Sequence, residues 1–416
     1  MIKNVSMSIL DPTTFDANEI TLSTDACIKC NVCQSYCPVM AVTDLFPGPK
    51  YVGPQAQRLR IGESVDHTVD YCSGCTVCTR VCPSGVKIAE LNSRARAAMV
   101  EAGGGPTLRD RLIARPELLG RLNRPIAPLV NRVLKNGMVR RAMQAALRID
   151  ARAPMPSFSP HSFRAMHRRY PYRSDRRVAY FYACSTEYYE PELGMKAVQV
   201  MERNGYQMVL PAQNCCGLPL ISNGDYAAAR KYAERNIRRL LPMVEAGIPI
   251  VATSTSCSLT LKQYYIDLLD IRTPEAEKVA ANVYDICEFL RKLHERGELN
   301  TDFGPVDQAI AYHAPCQLKS HGIGKPALDL MDLIPGLRAV EMEAECCGTA
   351  GTYGYKQEKY DIAMKVGEPL FRQIQSVGSP VSACDSETCR WQIEHGTDTR
   401  SLHPIEILLQ SYQAHQ

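Results

Sequence analysis

Cys27-Ile-Lys-Cys30-Asn-Val-Cys33-Gln-Ser-Tyr-Cys37-Pro38 and, further on, Cys72-Ser-Gly-Cys75-Thr-Val-Cys78-Thr-Arg-Val-Cys82-Pro83 are two copies of one spacing, C-x-x-C-x-x-C-x-x-x-C-P. Together they hold eight of the chain's eighteen cysteines. In this run three close thiolates wrap one face of a 4Fe-4S cube, and the fourth crosses to the other cluster. Two cubes are therefore expected, one on Cys27, Cys30, Cys33 and Cys82 and the other on Cys72, Cys75, Cys78 and Cys37. All-cysteine zinc sites are the competing reading. Those usually come as two C-x-x-C pairs apart in sequence, without a third cysteine in phase or a terminal proline. A 4Fe-4S cube carries one electron at a time, so the chain is expected to move electrons.

The chain has 416 residues, 45% of them hydrophobic and 22% charged, which is ordinary globular composition with room for two or three domains. Cysteines clustered at metal-ligand spacings must stay reduced, which points to a reducing cytosol and against structural disulfides. The start, Met1-Ile-Lys-Asn-Val-Ser-Met-Ser8, carries no apolar core with a small-residue cleavage site, and no run is apolar enough to span a bilayer. The expectation is a chain that neither spans a membrane nor is exported by the common route. Net charge is only +4, yet from Arg94 to Arg177 nineteen Lys or Arg face five Asp or Glu. Such a segment wants an acidic neighbour: an anionic membrane surface, a partner subunit, or the rest of this chain. Nothing resembling a nucleic-acid-binding motif accompanies the charge, so no nucleic-acid partner is expected.

Four units follow along the chain. Residues 1–105 read as a mostly helical ferredoxin-like domain with the two cluster runs, a Pro/Gly-rich connector from Phe46 to Pro54, and a helix from about Lys87 to Glu101 that stops at Gly103. Residues 106–176 read as a basic connector. Its helical patches are expected to be broken by Pro116, Pro125 and Pro128, and 151–177 to lie extended on the surface. Leu129, Val130, Val133 and Leu134 form a stripe read first as the buried side of a packed helix, with docking to a membrane surface or a partner as the other reading. Residues 177–300 and 301–416 change grammar to short apolar strands alternating with helices. The strands Val178–Ala183, Gln207–Leu210 and Ile248–Ala252 enclose helices at 192–204 and 226–241, the latter ended by Pro242. That is β-α-β-α-β, an α/β unit with a parallel sheet.

The unit is duplicated. Cys316 lies 132 residues after Cys184, Cys346 131 after Cys215, and Cys389 132 after Cys257; Cys215-Cys216-Gly217 returns as Cys346-Cys347-Gly348. Three marks at one offset identify an internal repeat. Each cysteine follows an expected strand at its carboxyl end, the rim where an open parallel sheet binds ligands. Cys184, Cys215, Cys216 and Cys257 make one candidate cofactor set, and Cys316, Cys346, Cys347 and Cys389 the other. Glycines after the pairs, with Gly351 and Gly354, let backbone N–H groups approach sulfur, which raises a cluster's potential. Buried structural cysteines and zinc are the alternatives, although adjacent cysteines suit tetrahedral zinc poorly. Cys287 has no counterpart and reads as a core residue. His313, three residues before Cys316, could hydrogen-bond sulfur, relay a proton to a quinone, or be structural. His403 sits in a similar setting.

The paired ferredoxin runs followed by two Cys-Cys-Gly repeats resemble the iron-sulfur subunits related to heterodisulfide reductase, glycolate oxidase and lactate-utilisation complexes. The strings Asn214 to Gly224, Cys346 to Tyr355, Pro369 to Ile374 and Glu387-Thr-Cys-Arg-Trp-Gln-Ile-Glu394, with Tyr51-Val-Gly-Pro54, are similar to the branch formed by the C subunits of anaerobic glycerol-3-phosphate dehydrogenases. The resemblance covers essentially the whole chain. It implies a non-catalytic electron-transfer and anchoring subunit that passes electrons from a flavin-containing dehydrogenase subunit, through 4Fe-4S clusters, to menaquinone. The alternatives are the iron-sulfur subunit of a glycolate or lactate oxidase, or a heterodisulfide-reductase-like catalytic subunit. The chain itself has no dinucleotide fingerprint and no P-loop, so flavin or nucleotide must belong to a partner. Repeats of this family often end C-x-x-C, where this chain has Ser254 and Ser386, with Cys384 two residues before the latter. A serine ligand, Cys384 slipping in, fewer thiolates, or an empty rim in one half all remain open at this point.

Overall fold

The computed structural model describes residues 19–59, 66–171 and 174–415; the N-terminal stretch in which no export leader is expected lies outside them. Val178, Ala179, Tyr180 and Phe181 are all fully buried, as a parallel strand covered by helices on both faces requires. They belong to β1 (Arg176–Tyr180) and the turn after it, between β2 (Tyr206–Val209) and β3 (Ile250–Ala252), with β4 (Val283–Asp285) beyond β3. The second repeat sets β5 (Gln308–His313) between β6 (Leu337–Glu341) and β7 (Val381–Cys384), with β8 (Arg400–Leu402) beyond β7. Every pairing is parallel. Strand order reverses between β1 and β3, and between β5 and β7, the place where such sheets leave a crevice at their carboxyl ends.

The fourth strands β4 and β8 are additions to the three-strand reading. At three residues each they offer no alternation to detect. Each is followed by a helix with a capping box, Asp285 with Glu288 and His403 with Glu406. The helix expected to end at Pro242 instead runs Tyr226–Glu245 with the proline inside its last turn. It stops at Gly247, whose φ of +70° is the left-handed conformation that favours glycine.

Three expectations about the connector are corrected. Pro116 and Pro128 start the helices Pro116–Asn123 and Ala127–Leu134 rather than break them, because the first turn has no use for the missing N–H. The stripe does not pack as a unit either: Leu129 and Val133 are 59% and 42% exposed, and only Val130 and Leu134 are half-buried. Residues 151–171 are not laid wholly on the surface, since Phe158 and Phe163 are buried. Phe163 opens the short helix Phe163–His167 and meets the Tyr180 ring edge-on at 5.4 Å.

The two repeats share a core. The helix Pro191–Arg203 packs on Pro404–Ala414, and Ile286–Glu295 on Pro326–Met331, so one apolar cluster holding Val251, Leu290, Ile310 and Leu408 spans both sheets. The ferredoxin-like unit and the connector are tied to the second repeat by ion pairs: Asp70 to Lys359 at 2.5 Å, Arg80 to Glu345 at 2.6 Å, Arg109 to Glu358 at 2.8 Å and Asp110 to Lys356 at 3.0 Å. Lys359 is 1% exposed, so its charge depends on Asp70 and on the Tyr71 and Tyr353 rings at 5.7 and 5.1 Å.

Candidate functional site

The two ferredoxin runs fold alike because their backbones bend at the same places. Lys29 and Gly74, then Asn31 and Thr76, have φ between 60° and 68°, and each second kink opens a one-turn helix, Val32–Ser35 or Val77–Arg80. Three of the four positions carry a side chain in a conformation most residues avoid, which the loop tolerates because the turn points successive sulfurs inward. One hollow is lined by Cys27, Cys30, Cys33 and Cys82, the other by Cys37, Cys72, Cys75 and Cys78. The fourth cysteine of each run crosses to the other set, as the spacing predicts. In the first set Cys30 is exposed and Cys27 and Cys82 are half-buried; in the second all four are buried. Burial pushes the Cys37 and Cys75 thiols up to about 12, so metal must displace protons to bind there. The Val86 N–H donates to Cys82 Sγ at 3.4 Å, and Asn92 Nδ2 lies 3.8 Å from Cys72 Sγ. Four convergent sulfurs with donors aimed at them fit a 4Fe-4S cube in each hollow.

The rim cysteines also converge, on one cavity of about 150 Å³ lined by all eight of them together with Cys72, Arg96 and Glu387. In the first repeat Cys184 opens the helix Cys184–Tyr188, and its Sγ lies 3.8 Å from that of Cys215; Cys216 interacts with both Cys215 and Cys257. In the second repeat Cys347 Sγ lies 3.0 Å from Cys389 Sγ, and Cys346 bridges Cys316 and Cys347. The Gly348 N–H donates to Cys346 Sγ at 3.3 Å. A Cβ at Gly348 would stand 1.8 Å from the Ala363 carbonyl oxygen, so only glycine lets this turn close under the sulfurs. These donor sets are sulfur-rich and shielded from water, which suits further iron-sulfur clusters.

The two rims differ in their neighbours. Cys316 and Cys346 share an apolar cluster with Cys37, Cys72 and Cys75, and the Cys75 thiol feels Cys316 after burial itself. The Thr76 and Ser320 hydroxyls bond directly across that joint. At the first rim the Cys215 N–H donates to Glu117 at 2.7 Å, from the connector helix Pro116–Asn123. Cys184 borders a small surface pocket with Glu117, Arg164, Tyr182 and Glu187.

Sequence reasoning missed the residues that join the rims. Glu387 lines the cavity and accepts from Ser254 Oγ at 3.3 Å, so that serine is engaged by a carboxylate of the other repeat. Burial pushes the Glu387 carboxyl up, more than Arg390 pulls it down. Arg390 ion-pairs with Glu190, and Trp391 Nε1 donates to the same carboxylate at 2.7 Å. The Glu387-to-Trp391 string is thus a clamp between repeats as well as a carrier of Cys389. Cys384 is fully buried beside Cys389 but does not line the cavity. Ser386 does line it, with its hydroxyl 3.4 Å from that of Thr388. His313 is buried, with neither ring nitrogen hydrogen-bonded, and burial lowers it to about 3; it does not reach the cavity. His403 caps the last helix and bonds the Thr253 carbonyl at 2.8 Å, a structural role.

Residues 23–86 match the family described as a 4Fe-4S dicluster domain, and residues 178–262 and 310–394 the family described as a cysteine-rich domain. The N-terminal unit accordingly carries two 4Fe-4S clusters. The B subunit of the fumarate reductase (CoM/CoB) of Methanothermobacter marburgensis is 25% identical over 92% of this chain and 70% of its own length. The D subunit of the dihydromethanophenazine:CoB--CoM heterodisulfide reductase of Methanosarcina barkeri is 23% identical over 90% and 89%. These relatives belong to multi-subunit oxidoreductases. The C subunit of the anaerobic glycerol-3-phosphate dehydrogenase of Escherichia coli K12 is 37% identical over 94% of this chain and 98% of its own. With that identity and a match that runs nearly end to end in both proteins, the chain belongs to the family of anaerobic glycerol-3-phosphate dehydrogenase C subunits.

Proposed function

We propose that this chain carries electrons from a flavin-containing glycerol-3-phosphate dehydrogenase subunit to menaquinone at the cytoplasmic face of the membrane, and itself performs no substrate chemistry. The observation that supports it most is the order of the cysteine sets. They run from Cys30 at the surface, through the buried set at Cys75, across the joint to Cys316 and Cys346, and over the shared cavity to Cys184 beside a surface pocket. Bound 4Fe-4S clusters supply one-electron carriers at such positions. Cys27, Cys30, Cys33 and Cys82 would hold the one facing the dehydrogenase; Cys37, Cys72, Cys75 and Cys78 the next; and the two rim sets those beyond. Arg96 lines the cavity and donates to the Cys72 carbonyl, holding positive charge beside that set and favouring its reduced state.

The first rim ends where the basic connector begins. Glu117 bonds Cys215 from a helix that also exposes Leu118, Arg121 and Leu122. Every exposed large apolar side chain among the described residues lies between Leu22 and Met138. Interleaved apolar and basic side chains suit the headgroup region of an anionic leaflet, and no helix among the described residues is long and apolar enough to cross a membrane. A peripheral anchor would thus sit next to the last cysteine set. The test is reconstitution of the full chain with the dehydrogenase subunits of its host and anionic vesicles carrying menaquinone. Glycerol-3-phosphate-dependent quinone reduction that requires this chain is the expected result. Electrons that reach this chain's clusters but not quinone would refute the reading. The cavity shared by both rims favours a second reading, reduction of a disulfide there, which a disulfide-reductase assay on the same preparation distinguishes.

A further inference from the structure

The duplication gives several positions at the seam between the repeats a counterpart, and one set of counterparts differs in kind. Tyr180 and Tyr312 hold the same place in their repeats; Tyr180 Oη meets Thr253 Oγ1 at 2.9 Å, and Tyr312 donates to Asp385 Oδ2 at 2.7 Å. Asp285 and His403 each cap the helix after the fourth strand. Two residues further on stand Cys287 and Ile405. One side of the seam therefore holds Thr253, His403 and Ile405, and the other Asp385, Asp285 and Cys287.

On the first side every polar atom of the imidazole is used: His403 Nε2 bonds the Thr253 carbonyl at 2.8 Å and Nδ1 accepts from the Ile405 N–H at 3.1 Å. On the second, two carboxylates and a thiol present ligand atoms that all lie within 4.8 Å of one another. Asp285 is 1% exposed, and Cys287 and Asp385 are fully buried. Asp285 Oδ1 accepts from the Cys287 N–H at 2.9 Å and Asp385 Oδ2 from Tyr312, while Asp285 Oδ2 and Asp385 Oδ1 have no hydrogen-bond partner. Among the described residues no lysine or arginine ion-pairs with either aspartate; Lys262 is committed to Glu288, and Arg390 to Glu190 and Glu406. Two carboxylates left this way in a dry interior are costly unless a cation or a shared proton offsets them.

We propose that Asp285, Cys287 and Asp385 form a zinc site that pins the two repeats together. One thiolate with two carboxylates is a donor set zinc accepts, and Tyr312, bonded to Asp385, is the outer partner that orients that ligand. Zinc bonds of about 2.0 Å to oxygen and about 2.3 Å to sulfur set tetrahedral ligands roughly 3.3–3.5 Å apart, so three donors that lie within 4.8 Å of one another need close by no more than about 1.5 Å. The ion takes two ligands from the first repeat and one from the second, beneath the strand end that leads to Cys389.

The test uses the full chain, reconstituted anaerobically with iron and sulfide, equilibrated with zinc and freed of excess. Elemental analysis should give about one zinc per chain, and zinc-edge X-ray absorption a ligand shell with a single sulfur and otherwise oxygen. The triple variant Asp285→His, Cys287→Ile, Asp385→Thr copies residues the other side of the seam already holds, and should lose zinc with iron unchanged. Should it fail to fold, Cys287→Ser should remove the sulfur from the zinc shell. Zinc-free wild type overturns the proposal in favour of a proton shared by the two carboxyls. A shell of three or four sulfurs overturns it by placing zinc among the other cysteines, as does a zinc content or single-sulfur shell that survives these substitutions.

Discussion

The two cysteine rims come from one duplicated unit and keep the same four sulfur positions, yet the chain has given them different surroundings. The second rim faces inward, where Cys316 and Cys346 pack with the buried ferredoxin cysteines, and ion pairs through Lys359, Lys356, Glu345 and Glu358 fix that joint. The first rim faces the connector, whose Glu117 bonds the Cys215 amide and whose neighbouring apolar side chains are exposed. Cys384 stands at the end of β7 behind Cys389, where Ala252 ends β3 in the first repeat. What this teaches is that duplication supplied two equivalent sites, and the N-terminal unit, which packs on both repeats, sets different cysteines against each: Cys33 and Cys78 share the apolar cluster of Cys215, Cys216 and Cys257, and Cys37, Cys72 and Cys75 that of Cys316 and Cys346; the proposed electron path takes the second rim as the inner site and the first as the outer one.

The largest expected effect comes from removing a sulfur from each rim in turn. Cys347→Ala should cut quinone reduction more than about a hundredfold, with the ferredoxin cubes still reducible by dithionite. Cys216→Ala should be as damaging to quinone reduction but should leave the second rim reducible. If Cys216→Ala silenced the second rim as well, the inner and outer assignment would be broken.

Next is the joint between the ferredoxin-like unit and the second repeat. Burial pushes the Asp70 carboxyl up, but Lys359 and Arg96 outweigh it and hold Asp70 well below the usual carboxylate range. Glu345 is held down in the same way by Arg80 and Lys319. Carboxylates lowered in the folded state add stability that is present above about pH 4 and is lost as pH falls through their folded values. Thermal stability should thus begin to fall as pH drops below about 6.5, where burial keeps His313 and His403 neutral down to about 3 while the unfolded chain protonates them, and fall further below about pH 4 as the paired carboxylates protonate. Asp70→Asn should cost about 3 kcal/mol at neutral pH by leaving Lys359 buried and unpaired, and should blunt the acid-side fall. A full-strength acid transition in Asp70→Asn would show that other groups carry it.

A smaller effect is expected at Cys384. Its thiol touches Cys389 without lining the cavity, so Cys384→Ser should keep the iron content and shift the second rim's paramagnetic resonance signal only slightly. Loss of iron equal to that in Cys347→Ala would make Cys384 a ligand and the rims chemically different. The smallest change should come from the outer face. Leu122→Asp with Leu129→Asp should weaken binding to anionic vesicles severalfold, and binding should weaken further as salt rises. Unchanged binding would move the connector's role to partner docking.

Much of this was legible in the sequence because sulfur spacing is a local signal. The two ferredoxin runs announce both hollows and the exchange of their fourth cysteines, and the constant offset from Cys184 to Cys316 announces the repeat before any strand is assigned. The strand β1 was readable from a continuous apolar run. What local signals could not carry was how the units meet. Nothing near Cys316 shows that it adjoins Cys75, and nothing near Ser254 names Glu387 as its partner, since both contacts join distant segments. The stripe at Leu129 and Val133 has helical period, and period alone cannot say whether a helix face is covered. Pro242 was misread because a proline near a helix end usually stops it, and here the helix forgoes one hydrogen bond and still completes its last turn to Glu245.

The claim that electrons pass the inner rim before the outer one is tested most directly by freeze-quenched electron paramagnetic resonance of the complete complex after mixing with glycerol 3-phosphate. The expected order of reduction is the ferredoxin-type cubes, then the second-repeat rim, then the first-repeat rim. In Cys347→Ala the sequence should stop at the cubes. A first-repeat rim reduced at the wild-type rate in Cys347→Ala would contradict the account.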